Sequence, residues 1–114
     1  MKLIGSKMEQ DFREELMHSN TALQSSESSL HQVLEAHGYS TTHAYVLHWT
    51  PEQLEDIYVV LIDASVLVVV EIDKYEKSRL PEVEEMELND YVRGLSRMNQ
   101  VRLAVAQDLV STKT

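Results

Sequence analysis

The fold is decided by the stretch Ile57-Tyr-Val-Val-Leu-Ile62, followed by Asp-Ala-Ser and then by Val66-Leu-Val-Val-Val-Glu-Ile72. Two runs rich in β-branched residues, separated by a short polar break, predict a β-hairpin. The break contains no glycine, so we expect a loop of three to four residues beginning at Asp63 rather than a two-residue primed turn. With either loop length both faces of the hairpin are apolar, and both need cover from water.

A further strand is predicted before the hairpin, over His43–Trp49. Simple alternation along this strand places Tyr45 and Trp49 on one face and His48 on the opposite face. The acidic segment Glu82–Glu87 follows the hairpin, and we expect it to be part of a solvated connector. The sheet would then be an antiparallel meander of three strands.

Helices are predicted before and after the strands. Ser6 and Glu9 form a capping box, so a helix should begin at Lys7, and Gly38 is placed to end a helix. The sequence leaves open whether residues 7–37 form one helix or two, although the serine-rich segment favours a break near Ser25.

The C-terminal part predicts one helix. It is capped by Asn89 or Asp90, and its apolar residues from Tyr91 to Leu109 recur at helical spacing. Gly94 should weaken this helix locally or let another backbone approach. We therefore predict an α+β fold of one domain, residues 1–114. Its three-stranded antiparallel meander is packed by an N-terminal helix or helices and a C-terminal helix, in the order α(α)-β-β-β-α.

Composition narrows the classes of function. The chain of 114 residues has a formal net charge of -9 and no cysteine. The negative charge disfavours nucleic acid as a partner, because duplex binding depends on lysine and arginine neutralising phosphates. The lack of cysteine excludes disulfide frameworks and fits a cytoplasmic location. We expect no signal peptide and no membrane partner, since no apolar segment reaches the roughly 20 residues of a spanning helix.

No motif in the sequence specifies a reaction. A glycine-rich phosphate loop, a His-Glu-x-x-His pair and a nucleophile elbow are all absent. An enzyme is therefore disfavoured, and we predict no catalytic residue, cofactor or metal ligand. The candidates for a ligand or interface site are Tyr45, His48, Trp49 and Tyr58. Tryptophan and tyrosine dominate interface hot spots, and partial burial can shift the pKa of a histidine.

These observations favour a small acidic cytoplasmic module that acts by protein–protein interaction or regulation. Its expected partners are a second copy of itself, in a homodimer, and a basic client; a monomer with helices on opposite sheet faces is the alternative assembly. One alternative function is a small-molecule-binding protein or enzyme with a pocket near the four candidates just named. A second is a divalent-cation site at Asp56, Glu71 and Asp73, at the open end of the hairpin.

Overall fold

A computed structural model describes residues 2–63, 65–76 and 78–113. Within these residues the chain forms, in order, α1 (Lys7–Leu23), α2 (Ser29–Ala36), β1 (Tyr45–Pro51), β2 (Glu55–Ile62), β3 (Val66–Asp73), β4 (Glu82–Met86), α3 (Leu88–Arg93) and α4 (Arg97–Lys113). The strands make one antiparallel sheet in the order β1-β2-β3-β4. The predicted α+β class, antiparallel sheet and helix-sheet-helix order are confirmed, but the prediction of three strands was wrong.

The additional strand, β4, is the acidic segment that was expected to be a solvated connector. It pairs with β3, with Val83 opposite Val70 and Glu82 opposite Glu71. Without β4, the apolar strand β3 would lie at the sheet edge with unpaired backbone groups, which are costly to leave without partners. The glutamates of β4 in turn make it a poor template for edge-to-edge association. The connector prediction was therefore wrong for residues 82–86.

The central hairpin has the predicted form. β2 and β3 pair in continuous register from Glu55–Asp73 to Ile62–Val66, so positions 63–65 connect the strands, of which residue 64 lies outside the described residues. Asp63 has a φ of 54°. Aspartate tolerates this left-handed conformation better than most residues because its short polar side chain can hydrogen-bond locally.

A β-bulge interrupts β1. Val46 lies opposite Val60 and His48 lies opposite Val59, so Leu47 is an extra residue on the β1 side. The extra residue shifts the alternation of side chains by one position. Consequently Trp49 lies with Val46 and Tyr58 on the face covered by α2, whereas Tyr45, Leu47 and His48 lie on the face covered by α1 and α4. Simple alternation, which placed Trp49 on the same face as Tyr45, was wrong here.

Helices of the same chain cover both faces of the sheet. On one face, Leu61 and Leu67 pack against α1 and α4. On the other face, Val60 and Val68 pack with Leu34 of α2. This is the arrangement that the monomeric alternative requires; homodimerisation stays a prediction.

The N-terminal helical region is divided in two. Residues 24–28 separate α1 from α2, which agrees with the break favoured near Ser25. Gly38 follows α2 with a φ of 83°. The Tyr39 N–H donates to the Leu34 carbonyl at 2.9 Å, so the helix ends in a Schellman motif, as expected for a glycine at this position.

The C-terminal region also contains two helices, so the prediction of a single helix was wrong. Gly94 caps α3, and the Ser96 hydroxyl accepts a hydrogen bond from the Asn99 N–H at 3.2 Å where α4 begins. Serine is a favoured N-cap because its side chain satisfies a free backbone donor of the first turn. The chain therefore starts a new helix soon after the glycine.

Polar side chains of α1 fasten this helix to the outer edge of β1. The buried Asn20 donates through Nδ2 to the carbonyls of Thr42 and Ala44, at 3.1 and 2.9 Å. Ser19 accepts a hydrogen bond from the Val46 N–H at 3.1 Å. Because β1 is an edge strand, its outward backbone groups need partners, and α1 supplies one at Val46 and two more just before the strand, at Thr42 and Ala44.

Candidate functional site

An exposed aromatic pair, Trp49 and Tyr58, stands on the α2 side of the sheet. The two residues lie opposite each other in β1 and β2, and their rings are stacked with centroids 6.3 Å apart and planes 8° apart. Trp49 is 59% exposed, whereas Tyr58 is partly buried. Burial, followed by the charge of Asp56, raises the pKa of the Tyr58 hydroxyl, which therefore stays neutral at ordinary pH.

The edge of the indole ring is held by Asp56. The Trp49 Nε1–H donates to Asp56 Oδ1 at 3.1 Å. The same oxygen lies 3.6 Å from Lys74 Nζ, which also donates to the backbone carbonyl of Glu52. The ring of Trp49 is thus supported on one face by Tyr58 and at its edge by a carboxylate.

Three depressions meet at the aromatic pair. The first, of about 430 Å³, lies between Trp49, Tyr58 and Leu30 of α2. The second, of about 470 Å³, shares Tyr58 and continues to Arg79 in the β3–β4 connection. We call these two together the aromatic groove. The third, of about 350 Å³, shares Trp49 and is also lined by His48.

The far end of the aromatic groove carries paired charges. Arg79 lies 3.5 Å from Asp73, whose carboxylate also accepts hydrogen bonds from the backbone N–H groups of Glu76 and Tyr75, at 2.7 and 2.9 Å. The hydrogen bond from Glu76 is the largest cause of the lowered pKa of Asp73, and Tyr75 and Arg79 lower it further. Asp73 is therefore ionised and offsets the charge of Arg79.

His48 lies on the opposite face of the sheet. Its ring meets that of Tyr91 in α3 edge to face, with centroids 6.0 Å apart. Burial, followed by the positive charge of Arg102, lowers the pKa of His48, so its imidazole is neutral at pH 7. Arg102 is itself stacked 4.4 Å from the centroid of the Phe12 ring and paired with Glu15 at 3.0 Å.

The structure brings together two of the four residues singled out in the sequence. Trp49 and Tyr58 form one surface, His48 lines a separate depression, and Tyr45 is fully buried in the core under α1 and α4. Sequence reasoning did not include Leu30, which forms the helical wall of the groove. The sequence shows Leu30 as part of an apolar stripe at helical spacing. Which face of the sheet this residue reaches depends on the break between α1 and α2.

The three acids considered for a divalent cation are divided between the two sheet faces. Strand alternation puts Asp56 on the face of Tyr58 and Glu71 on the opposite face. Asp73 is occupied by Arg79 and by two backbone donors. Among the described residues, no group of three or more His, Cys, Asp or Glu side chains is arranged to hold a metal ion. These positions give no support to a cation site.

No protein-family model, curated protein or solved structure matches this chain. In the described ranges, no helix combines the length and apolar character needed to cross a membrane. A function for this protein therefore has to be inferred from the surfaces just described.

Proposed function

We propose that this protein is an interaction module that binds a protein partner through the aromatic groove. The observation that carries the proposal is the exposed Trp49 stacked on Tyr58. A large aromatic ring left in water gains much from burial on a partner, and tryptophan and tyrosine are enriched among the residues that dominate interface energies.

The aromatic pair is held in place before any partner binds. Tyr58 and Asp56 both belong to β2, an inner strand of the sheet, and both contact the indole ring of Trp49. A side chain that is already ordered loses less conformational entropy on binding, so more of the contact energy contributes to affinity. The depression beside Leu30 offers space for an apolar side chain of the partner.

Other apolar side chains are exposed at the same end of the sheet. Leu54 lies in the β1–β2 turn, and Tyr75 and Leu80 lie in the β3–β4 connection; all three are largely exposed. The Lys74 N–H donates to the Leu54 carbonyl at 2.9 Å, which joins the two loops. This end of the sheet therefore extends the apolar surface around Trp49.

Comparative capture experiments test the proposal. The wild-type protein, Trp49→Ala and Met98→Ala are used as baits in an extract of the native host. Met98 is a matched control because it is 53% exposed and belongs to α4, which packs on the opposite sheet face. We expect a protein retained by the wild type and by Met98→Ala but lost with Trp49→Ala. The proposal fails if that protein, once purified, binds Trp49→Ala as tightly as it binds the wild type.

Self-association is one form that this interaction can take, and it is measured separately. The chain's own helices cover both sheet faces, and the exposed end around Trp49 and Leu54 is an apolar area that a second copy can cover. Sedimentation equilibrium should show a dimer that Trp49→Ala dissociates. A wild-type monomer at high concentration would exclude self-association and restrict the proposal to other partners.

A second candidate function is small-molecule binding or proton transfer at His48. The observation that favours it is a neutral imidazole next to Arg102 in a depression of about 350 Å³. A neutral histidine can accept a proton, and a guanidinium group can bind a carboxylate. Titration with acetate and benzoate, followed by the ring signals of His48 in NMR spectra, tests this idea. A saturable shift abolished by Arg102→Gln is expected, and signals that do not move would exclude it.

A further inference from the structure

We propose that the partner presents a basic segment, and that the exposed face of Trp49 receives an arginine or lysine side chain of that segment. This inference rests on the proposed function, because it specifies the chemistry of the partner that occupies the aromatic groove.

The first argument is the electrostatics of the indole ring. The faces of an aromatic ring carry partial negative charge, and tryptophan is the best of the aromatic residues at holding a cation over its face. Tyr58 is stacked on one face of Trp49, and more than half of the tryptophan remains exposed. A planar guanidinium group can stack on such a surface in the way that Arg102 already stacks on Phe12 in this protein.

The second argument is the charge around the ring. The positive edge of the indole, at Nε1–H, is paired with the Asp56 carboxylate. Lys74 balances part of that charge, and farther along the groove Asp73 offsets Arg79. A cation approaching the exposed face of Trp49 therefore meets a carboxylate at the edge of the ring.

The third argument is the charge of the whole chain. A formal net charge of -9 repels acidic segments and attracts basic ones. Surface charge of this kind mainly increases the rate of encounter, while the contact at Trp49 and the apolar depression slow dissociation. A segment with an apolar residue next to arginine or lysine would fit both parts of the surface.

The experiment uses labelled peptides with a central leucine. The peptides differ only in the residue next to this leucine, which is arginine, lysine, glutamine or glutamate. Fluorescence anisotropy gives the affinity of each peptide for the wild type, Trp49→Phe, Trp49→Leu and Met98→Ala. We expect the arginine peptide to bind the wild type about tenfold more tightly than the glutamine peptide, with the glutamate peptide weakest. Trp49→Leu should weaken the arginine peptide about fivefold, because leucine keeps the apolar contact but has no π face.

Two controls make the result specific. Trp49→Phe, which keeps a smaller ring, should fall between the wild type and Trp49→Leu, and Met98→Ala should bind like the wild type. Because Trp49 is the only tryptophan of the chain, quenching of its fluorescence by the unlabelled arginine peptide reports contact at this ring directly. Thermal unfolding of each variant confirms that it is folded.

Three results would overturn the inference: glutamine and arginine peptides that bind equally well, an arginine peptide that binds Trp49→Leu as tightly as the wild type, or no peptide binding at all. These outcomes are separate from failure of the proposed function. A captured partner that depends on Trp49 but not on its own basic residues would leave the interaction module standing and remove only the cationic contact.

Discussion

Glu71 of β3 lies directly opposite Glu82 of β4, so the two carboxyl groups are cross-strand neighbours that can share a hydrogen bond once one of them is protonated. This bond is the largest cause of the raised pKa of Glu71; burial and the charge of Glu55 raise it further. A carboxyl group with a raised pKa in the folded state binds its proton more tightly there than in the unfolded chain. The free energy of unfolding therefore increases as the pH falls through the pKa of folded Glu71, and this gain is complete below the ordinary value of 4.5.

Glu71→Gln should stabilise the protein at neutral pH. It removes the repulsion between like charges on paired strands, which we expect to raise the free energy of unfolding by roughly 0.2–1 kcal/mol. The gain should shrink as the pH is lowered toward the ordinary pKa of glutamate, since wild-type Glu71 then becomes protonated. Urea unfolding of the variant and the wild type across this pH range measures the difference between their free energies of unfolding. Glu84→Gln is the control, because Glu84 lies opposite Val69; an equal gain in this variant would contradict the pairwise explanation.

Asn20→Ala should destabilise the protein. The change leaves the buried carbonyl of Ala44 and that of Thr42 without the side-chain donor that fastens α1 to the edge of β1. A buried polar group without a partner costs about 1–3 kcal/mol, and we expect a loss of that size in denaturant unfolding. Thr21→Ala removes an exposed hydroxyl from the next position of the same helix. A loss no larger than in this control would show that the buried bonds contribute little.

Glu9→Gln should lower the melting temperature at neutral pH. Burial tends to raise the pKa of Glu9, but hydrogen bonds from the backbone N–H groups of Ile4 and Gly5 and from Ser6 outweigh it and lower the pKa. This stabilisation is present above the ordinary pKa of 4.5 and is lost as the pH falls through the lower pKa of the folded state. The melting temperatures of wild type and variant should therefore converge in acid. Glu14→Gln, at an exposed position of the same helix, should have a smaller effect at neutral pH.

Alanine at two glycines should have opposite effects. Gly38 has a φ of 83°, so Gly38→Ala forces a side chain into the left-handed region and should cost about 1–2 kcal/mol. Gly94 has a φ of -100°, and a Cβ there would meet open space. Gly94→Ala should therefore stabilise the protein by about 0.4–1 kcal/mol, by reducing the freedom of the unfolded chain. Thermal unfolding of both variants tests the pair, and destabilisation by Gly94→Ala would contradict this account.

Features encoded within a few residues could be predicted from the sequence. The Ser6 and Glu9 capping box, the helix end at Gly38 and the loop that begins at Asp63 each depend on local backbone and side-chain preferences, and the structure contains all three. The hairpin of β2 and β3 was predictable for a similar reason, because two β-branched runs lie next to each other in the chain.

Features that depend on distant partners could not be predicted in this way. Glutamate has low strand propensity, so Glu82–Met86 resembles a solvated segment until the unpaired edge of β3 is taken into account. The bulge at Leu47 has no sequence signature, and it decides which side chains share a surface. Trp49 and Tyr58 could therefore be named as site candidates, and simple alternation separated Trp49 from His48, but the separation of Trp49 from Tyr45 could not be foreseen.

The regular alternation of β1 after the bulge gives one short strand two separate roles. His48 and Trp49 are neighbours in the chain, yet they lie on opposite faces of the sheet, which are covered by different helices. Substitutions in α2 could reshape the groove beside Trp49 while the surroundings of His48 stay the same, and substitutions in α3 or α4 could do the converse. Two surfaces of this small protein can therefore be engineered independently, since His48 and Trp49 each have their own cross-strand partner, Val59 and Tyr58.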